Sequence, residues 1–83
     1  MYLVRGDKTA AIDAFEAALR LAPNVPEGHY EVARLLDETG HRAEALPHYR
    51  RFIDLATPAQ AGARAWVERR VFEIERRENP DAN

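Results

Sequence analysis

The chain contains no cysteine, so it can hold neither a disulfide nor a thiolate metal site, and the redox compartment stays open on that count. Long apolar runs are missing too: none approaches the ~20 residues that span a bilayer. The opening Met1-Tyr2-Leu3-Val4-Arg5-Gly6 is too short for the apolar stretch of a secretory signal. From these absences we expect a soluble, cytoplasmic protein that does not engage membranes. There is no excess of one charge either. Twelve basic residues, all arginine but Lys8, face 14 carboxylates for a formal charge of −2. That balance exerts no global pull on nucleic acid, which is not an expected partner. No segment alternates polar and apolar residues with period two, so no strands are expected.

The constellations that carry enzyme chemistry are also missing. A glycine-rich phosphate loop needs a strand before it, and none is in prospect. Thr9 and Thr57, the hydroxyls considered as nucleophiles, read as helix-start residues. Carboxylates abound, but nothing places two of them in one apolar pocket. His29, His41 and His48 lack a metal-ligand spacing. No catalysis, metal or cofactor is expected of this chain.

What the sequence does have is an echo. Gly6 to Phe15 (GDKTAAIDAF) returns as Gly40 to Tyr49 (GHRAEALPHY), 34 residues later. Leu19 and Ile53, Leu21 and Leu55, and Gly28 and Gly62 keep the same interval. A fixed period of this size marks a helical repeat array. The 3.6-residue pattern fills in the helices. The first is expected over residues 7–22, with Asp7 as N-cap and Ala11, Ile12, Phe15, Ala18, Leu19 and Ala22 as its apolar stripe. Pro23-Asn24-Val25-Pro26 ends it.

The second helix runs from about Pro26 to Thr39, with His29, Val32, Ala33 and Leu36 on one face, and Gly40 closes it. The third covers about Arg42 to Ala56, with Ala45, Leu46, Tyr49, Phe52, Ile53 and Ala56 inward, Glu44 placed to reach back to His41, and Pro47 in its second turn. Thr57-Pro58 opens the last helix, which carries Ala63, Trp66, Val67, Val71 and Ile74 along one side and a dense arginine and glutamate cover elsewhere, to about Glu78. Loops of two to four residues make consecutive helices antiparallel neighbours.

These residues resemble the tetratricopeptide repeat. Val32, Ala33 and Leu36 stand at packing positions of its helix A, Gly40 at its turn, and Ala45, Tyr49 and Phe52 at positions of its helix B. Gly6, Ala11, Phe15, Ala18 and Pro23 match a second helix B. His29 departs from the aromatic the pattern carries early in helix A, and Phe52 is bulky where alanine is usual. The implied fold is an all-α solenoid of four helices. Residues 1–23 form a partial repeat, 24–57 a complete one, 58–79 a capping helix and 80–83 a frayed tail. Arg70 stands where an apolar residue belongs, as if facing solvent, and Trp66 reads as the wedge that docks the cap.

The resemblance implies a protein or peptide partner held on a concave face. Carried over by position, the contact residues are Glu27, Tyr30, Glu31, Arg34, Asp37, Arg64 and Glu68. Tyr30 with Arg34 and Arg64 with Glu68 fall at the positions where some members clamp a terminal carboxylate, and one arginine opposed by a glutamate is a poor clamp. The plainer alternatives are a packed Tyr30 and an exposed ion pair from Arg34 to Asp37 or Glu38, worth about 0.2–0.5 kcal/mol. Two further expectations follow from the truncated first unit. The stripe around Ile12, Phe15 and Leu19 is an expected self-association surface, giving homo-oligomers. Alternatively, the chain is a slice of a larger repeat protein, or of an enzyme whose activity lies elsewhere.

Overall fold

The computed structural model describes the backbone of residues 4–78 and the side chains of residues 8–77; the expected frayed tail at 80–83 lies outside them. Four α-helices and one short 3-10 turn account for the architecture, and among the described residues there is no strand. They are α1 (Val4–Leu21), α2 (Pro26–Glu38), α3 (Arg42–Leu55), the 3-10 turn Pro58–Gln60 and α4 (Ala61–Glu78). Helices pack in chain order, α1 on α2, α2 on α3 and α3 on α4. The shortest dimension of 21 Å is two helix diameters.

Each helix boundary has a local cause. Helix α1 begins at Val4, ahead of the expected start, so Asp7 lies within its first turns and cannot be the N-cap. Thr9 is likewise a helix-interior residue. Gly6, the echo of Gly40, is helical as well. At Gly40 the glycine is required: its φ is +87°. The His41 amide donates to the Leu36 carbonyl at 2.8 Å and the Gly40 amide to the Asp37 carbonyl at 3.1 Å, a helix end closed by left-handed backbone. Because the His41 amide is already donated to Leu36, Glu44 has no capping bond to make there. Pro26 opens α2 at its first position with no side-chain cap. Before α4, the Gln60 side-chain oxygen accepts the Thr57 amide at 2.9 Å. Gln60 Nε2 donates to Glu27 at 3.0 Å, tying this turn to the start of α2.

The core lies along α2 and α3. Val32 and Ala33 from α2, Ala45, Tyr49 and Phe52 from α3, and Val67 and Ile74 from α4 are almost completely shielded. Phe52 is 1% exposed, with its ring 5.1 Å from Tyr30, so the bulky residue is packed inside the core. Burying such a ring contributes about 1.5–3 kcal/mol. Helix α1 docks through a narrower stripe than expected: Leu19 is buried, Ile12 and Phe15 are half-buried, and Ala18 and Ala22 are exposed. Leu19 closes tightly on α2, where a Cβ added to Gly28 would lie 2.7 Å from Leu19 Cδ2. Gly62, 34 residues on, faces open space. Helix α4 therefore does not repeat the packing of α2, and the sequence echo is broken in three dimensions at its last member.

His29 is a buried polar group within this packing. Its Nε2 donates to the Pro23 carbonyl at 2.8 Å, and its Nδ1 lies 3.1 Å from Nδ1 of His48 on α3. A carbonyl only accepts, so the proton of the Pro23 bond sits on His29 Nε2. Burial holds the His48 imidazole below its ordinary value of 6.5; the neighbouring His29 adds to this and Glu16 opposes it. One histidine of α2 thus ties both the α1–α2 connection and the α2–α3 contact.

Candidate interaction groove

Helices α2 and α4 both rest on α3 and leave an open depression of about 540 Å³ between them. Its floor is a buried ion cluster. The Asp37 carboxylate, 9% exposed, accepts from Arg70 Nε and Nη2 at 2.7 Å each and from the Tyr49 hydroxyl at 2.9 Å. Arg42 Nε stands 3.7 Å from the same carboxylate. The Arg70 hydrogen bond, reinforced by Tyr49, holds the Asp37 carboxyl below its ordinary value of 3.8 even though burial works the other way. The Asp37 hydrogen bond likewise raises Arg70, and burial raises the Tyr49 phenol. Hydrogen bonds of this ionised, two-pronged kind are short and directional, so one carboxylate locks three helices in register.

This cluster corrects two expectations. Asp37 is buried and its carboxylate is engaged by Arg70 and Tyr49, so within the fold it acts as a tie between helices rather than as a free group on an exposed face. Arg70 is not a solvated capping residue: 22% of its side chain is exposed and its guanidinium faces inward. It occupies an apolar register position because its partner sits in the apolar face of α2.

Trp66 stands at the edge of the depression and corrects a third. It is 46% exposed and so does not wedge α4 into the core; Val67, Val71 and Ile74 do that. Its ring meets Tyr49 edge-on at 6.1 Å and Tyr30 edge-on at 6.4 Å. Tyr30 is half-buried, packed between Phe52 and Trp66, with the Arg34 guanidinium 5.8 Å from its ring centre. The structure therefore gives Tyr30 a packing role. Arg34 pairs with Glu38 at 3.0 Å, as one of the two foreseen alternatives had it. Burial disfavours the Arg34 charge, but Glu38 and the neighbouring Tyr30 outweigh it and raise its pKa. Glu38 also pairs with Lys8 of α1 at 3.4 Å.

The remaining expected contacts are spread out. Arg64 and Glu68 pair with each other at 3.3 Å on α4 and do not line the depression. Glu27 is engaged by Gln60, and Glu31 is half-buried on α2 outside the lining. Of the seven, only Arg34 and Asp37 line it. The residues that sequence reasoning did not place there are Arg42, Tyr49, Trp66, Arg69, Arg70 and Glu73. The available signal was Arg70 itself, a charge in register with Val67, Val71 and Ile74 that needed a buried counter-charge. Of the proposed self-association residues, Leu19 is covered by α2, while Ile12 and Phe15 keep part of their surface.

No group of three or more histidine or acidic side chains among the described residues is placed to hold a metal. No helix among them is long and apolar enough to cross a membrane. No protein-family model, curated protein or solved structure matches the chain.

Proposed function

We propose that this chain is a non-catalytic interaction scaffold, a small solenoid of the tetratricopeptide type, that holds a peptide or a partner helix in the groove between α2 and α4. The observation that carries this is Trp66. A tryptophan left 46% exposed, beside a depression and braced by two tyrosines, is a rigid aromatic contact surface, the residue type that anchors interfaces. The Asp37–Arg70 clamp beneath it fixes the spacing of the two walls, so the surface is organised before a partner arrives. The stacking of helices in chain order and the left-handed turn at Gly40 support the repeat-like architecture.

The test is peptide selection from a random display library on the 83-residue chain, followed by chemical-shift mapping of the selected sequences. Shifts centred on the Trp66 indole and on the amides around Arg34 and Arg69 are the expected result. Shifts confined to α1, or no selectable peptide, would overturn the groove assignment. A second reading, association of copies, is favoured by the outer face of α1, where Ala14, Ala17 and Ala18 are exposed and Leu21 is 89% exposed. Sedimentation equilibrium over a wide concentration range tests it, and a monomer throughout would count against it.

A further inference from the structure

The groove carries charges of both signs, and its internal pairs leave the two signs unequally satisfied. All three carboxylates in its walls are engaged. Asp37 is held by Arg70 and Tyr49, Glu38 by Arg34 and Lys8, and Glu73 accepts from Arg70 Nη1 at 3.2 Å. The cations are not all engaged. Arg69 lines the same depression, is exposed, and makes no ion pair among the described residues. Arg42 Nε is shielded from solvent and donates no hydrogen bond, reaching Asp37 only at 3.7 Å.

One turn further along α4 the pattern continues. Phe72 is 59% exposed under the Arg76 guanidinium, which lies 5.6 Å from its ring centre, and neither Arg76 nor Arg77 forms an ion pair among the described residues. Arg69, Phe72 and Arg76 recur at helical spacing, so they form one exposed stripe that starts beside Trp66. A chain of net charge −2 thus carries a local cationic and aromatic strip.

Resting on the groove assignment above, we infer that the partner is an acidic protein segment, with an aliphatic or aromatic side chain seated on Trp66 and carboxylates on Arg69 and Arg42. Guanidinium groups favour carboxylates through paired, directional hydrogen bonds, and the exposed rings supply the apolar half of the contact. A long polyanion such as nucleic acid suits the surface less well. The strip is bordered by Glu38, Glu68 and Glu73, which a short acidic segment can avoid and an extended phosphate backbone cannot.

Trp66 is the only tryptophan, so its emission reports on the groove directly. The probes are three synthetic peptides of about twelve residues, free of tryptophan and tyrosine, sharing the same leucines and phenylalanines. Their polar positions are all glutamate, all lysine or all glutamine. The glutamate peptide should shift Trp66 emission saturably, the lysine peptide should not, and affinity should fall as salt rises from about 50 to about 300 mM, which shortens the Debye length. Arg69→Glu should weaken the glutamate peptide by about tenfold or more, the equivalent of one charge-assisted contact. Arg20→Glu makes the same charge change on α1, outside the groove, and should leave the affinity unchanged.

Equal binding of the glutamate and lysine peptides would overturn the acidic preference and leave the groove standing. Silence of Trp66 to all three peptides would overturn both. Equal weakening by Arg20→Glu and Arg69→Glu would reduce the effect to net charge and overturn the inference. So would tighter binding of a short oligothymidylate through Arg69.

Discussion

Replacing Asp37 with alanine removes the carboxylate that ties α2 to both α3 and α4, leaving Arg70 without its bidentate partner and the Tyr49 hydroxyl without an acceptor. Breaking a fully shielded ion pair by deleting one member costs about 3–5 kcal/mol, mostly for the charge left behind. Arg70 keeps 22% of its side-chain exposure and can recover some hydration, which lowers that figure. The stranded Tyr49 hydroxyl, in a residue with 0% exposure, adds to it. About 3 kcal/mol is the expected loss, a large share of the roughly 4–12 kcal/mol available to a domain of this length. In a thermal melt followed by far-ultraviolet circular dichroism it should lower Tm by about 12–24 °C.

The charge origin of the loss is separable from simple truncation. In the double variant Asp37→Ala, Arg70→Met the stranded Arg70 charge is gone; Arg42 and Glu73 lose these partners but have side chains 38% and 51% exposed, and apolar replacement of a buried pair is often neutral or better, so much of the stability should return. The carboxylate's folded pKa lies below its ordinary value of 3.8, so its contribution is complete above about pH 5 and disappears as pH falls through the folded value. A loss below about 0.5 kcal/mol for Asp37→Ala, or a double variant no more stable than the single, would refute the view that this cluster holds the three helices together.

Three other outcomes are expected. The His48 folded pKa lies below its ordinary value of 6.5, so the stabilisation from its neutral form is present above about pH 6.5 and is lost as pH falls; urea titrations between about pH 7.5 and 5 should show a decline that His48→Gln flattens. Gly62→Ala meets no neighbour and should stabilise α4 by about 0.5–1 kcal/mol, whereas Gly28→Ala pushes a Cβ to 2.7 Å from Leu19 and should fall below it by about 1–2 kcal/mol in denaturant midpoints. Trp66, 46% exposed, should emit at long wavelength and be readily quenched by acrylamide, and Trp66→Ala should cost less than the roughly 3–5 kcal/mol of a buried tryptophan; a blue-shifted, protected emission would contradict the exposed ring.

Much of the fold was legible because its signals are local. Proline at 26, glycine at 40 and the 3.6-residue stripes of α2 and α3 set the limits of those helices to within a residue or so, since each acts through backbone geometry or amphipathicity within one turn. The start of α1 was misplaced because Asp7 is also a good first-turn acid, and a cap signature does not exclude three more helical residues before it. The candidate site was much less legible. The resemblance offers Tyr30 and Asp37 as groove contacts by position alone, but a helix face is shared between solvent, a neighbouring helix and a partner, and the sequence does not divide it.

The amino-acid sequence by itself determined four helices, their order and which residues of α2 and α3 turn inward, because these follow from periodicity and from residues whose backbone preferences hold in any context. Only the tertiary structure decided how α4 sits. Its rotation sends Arg70 to Asp37, 33 residues away, leaves Gly62 in open space where Gly28 is closed by Leu19, and turns Trp66 outward. Rotation of a helix about its own axis is set by the sum of its contacts with elements remote in sequence; the local pattern shows a charge at an apolar register in Arg70 but not which remote carboxylate neutralises it.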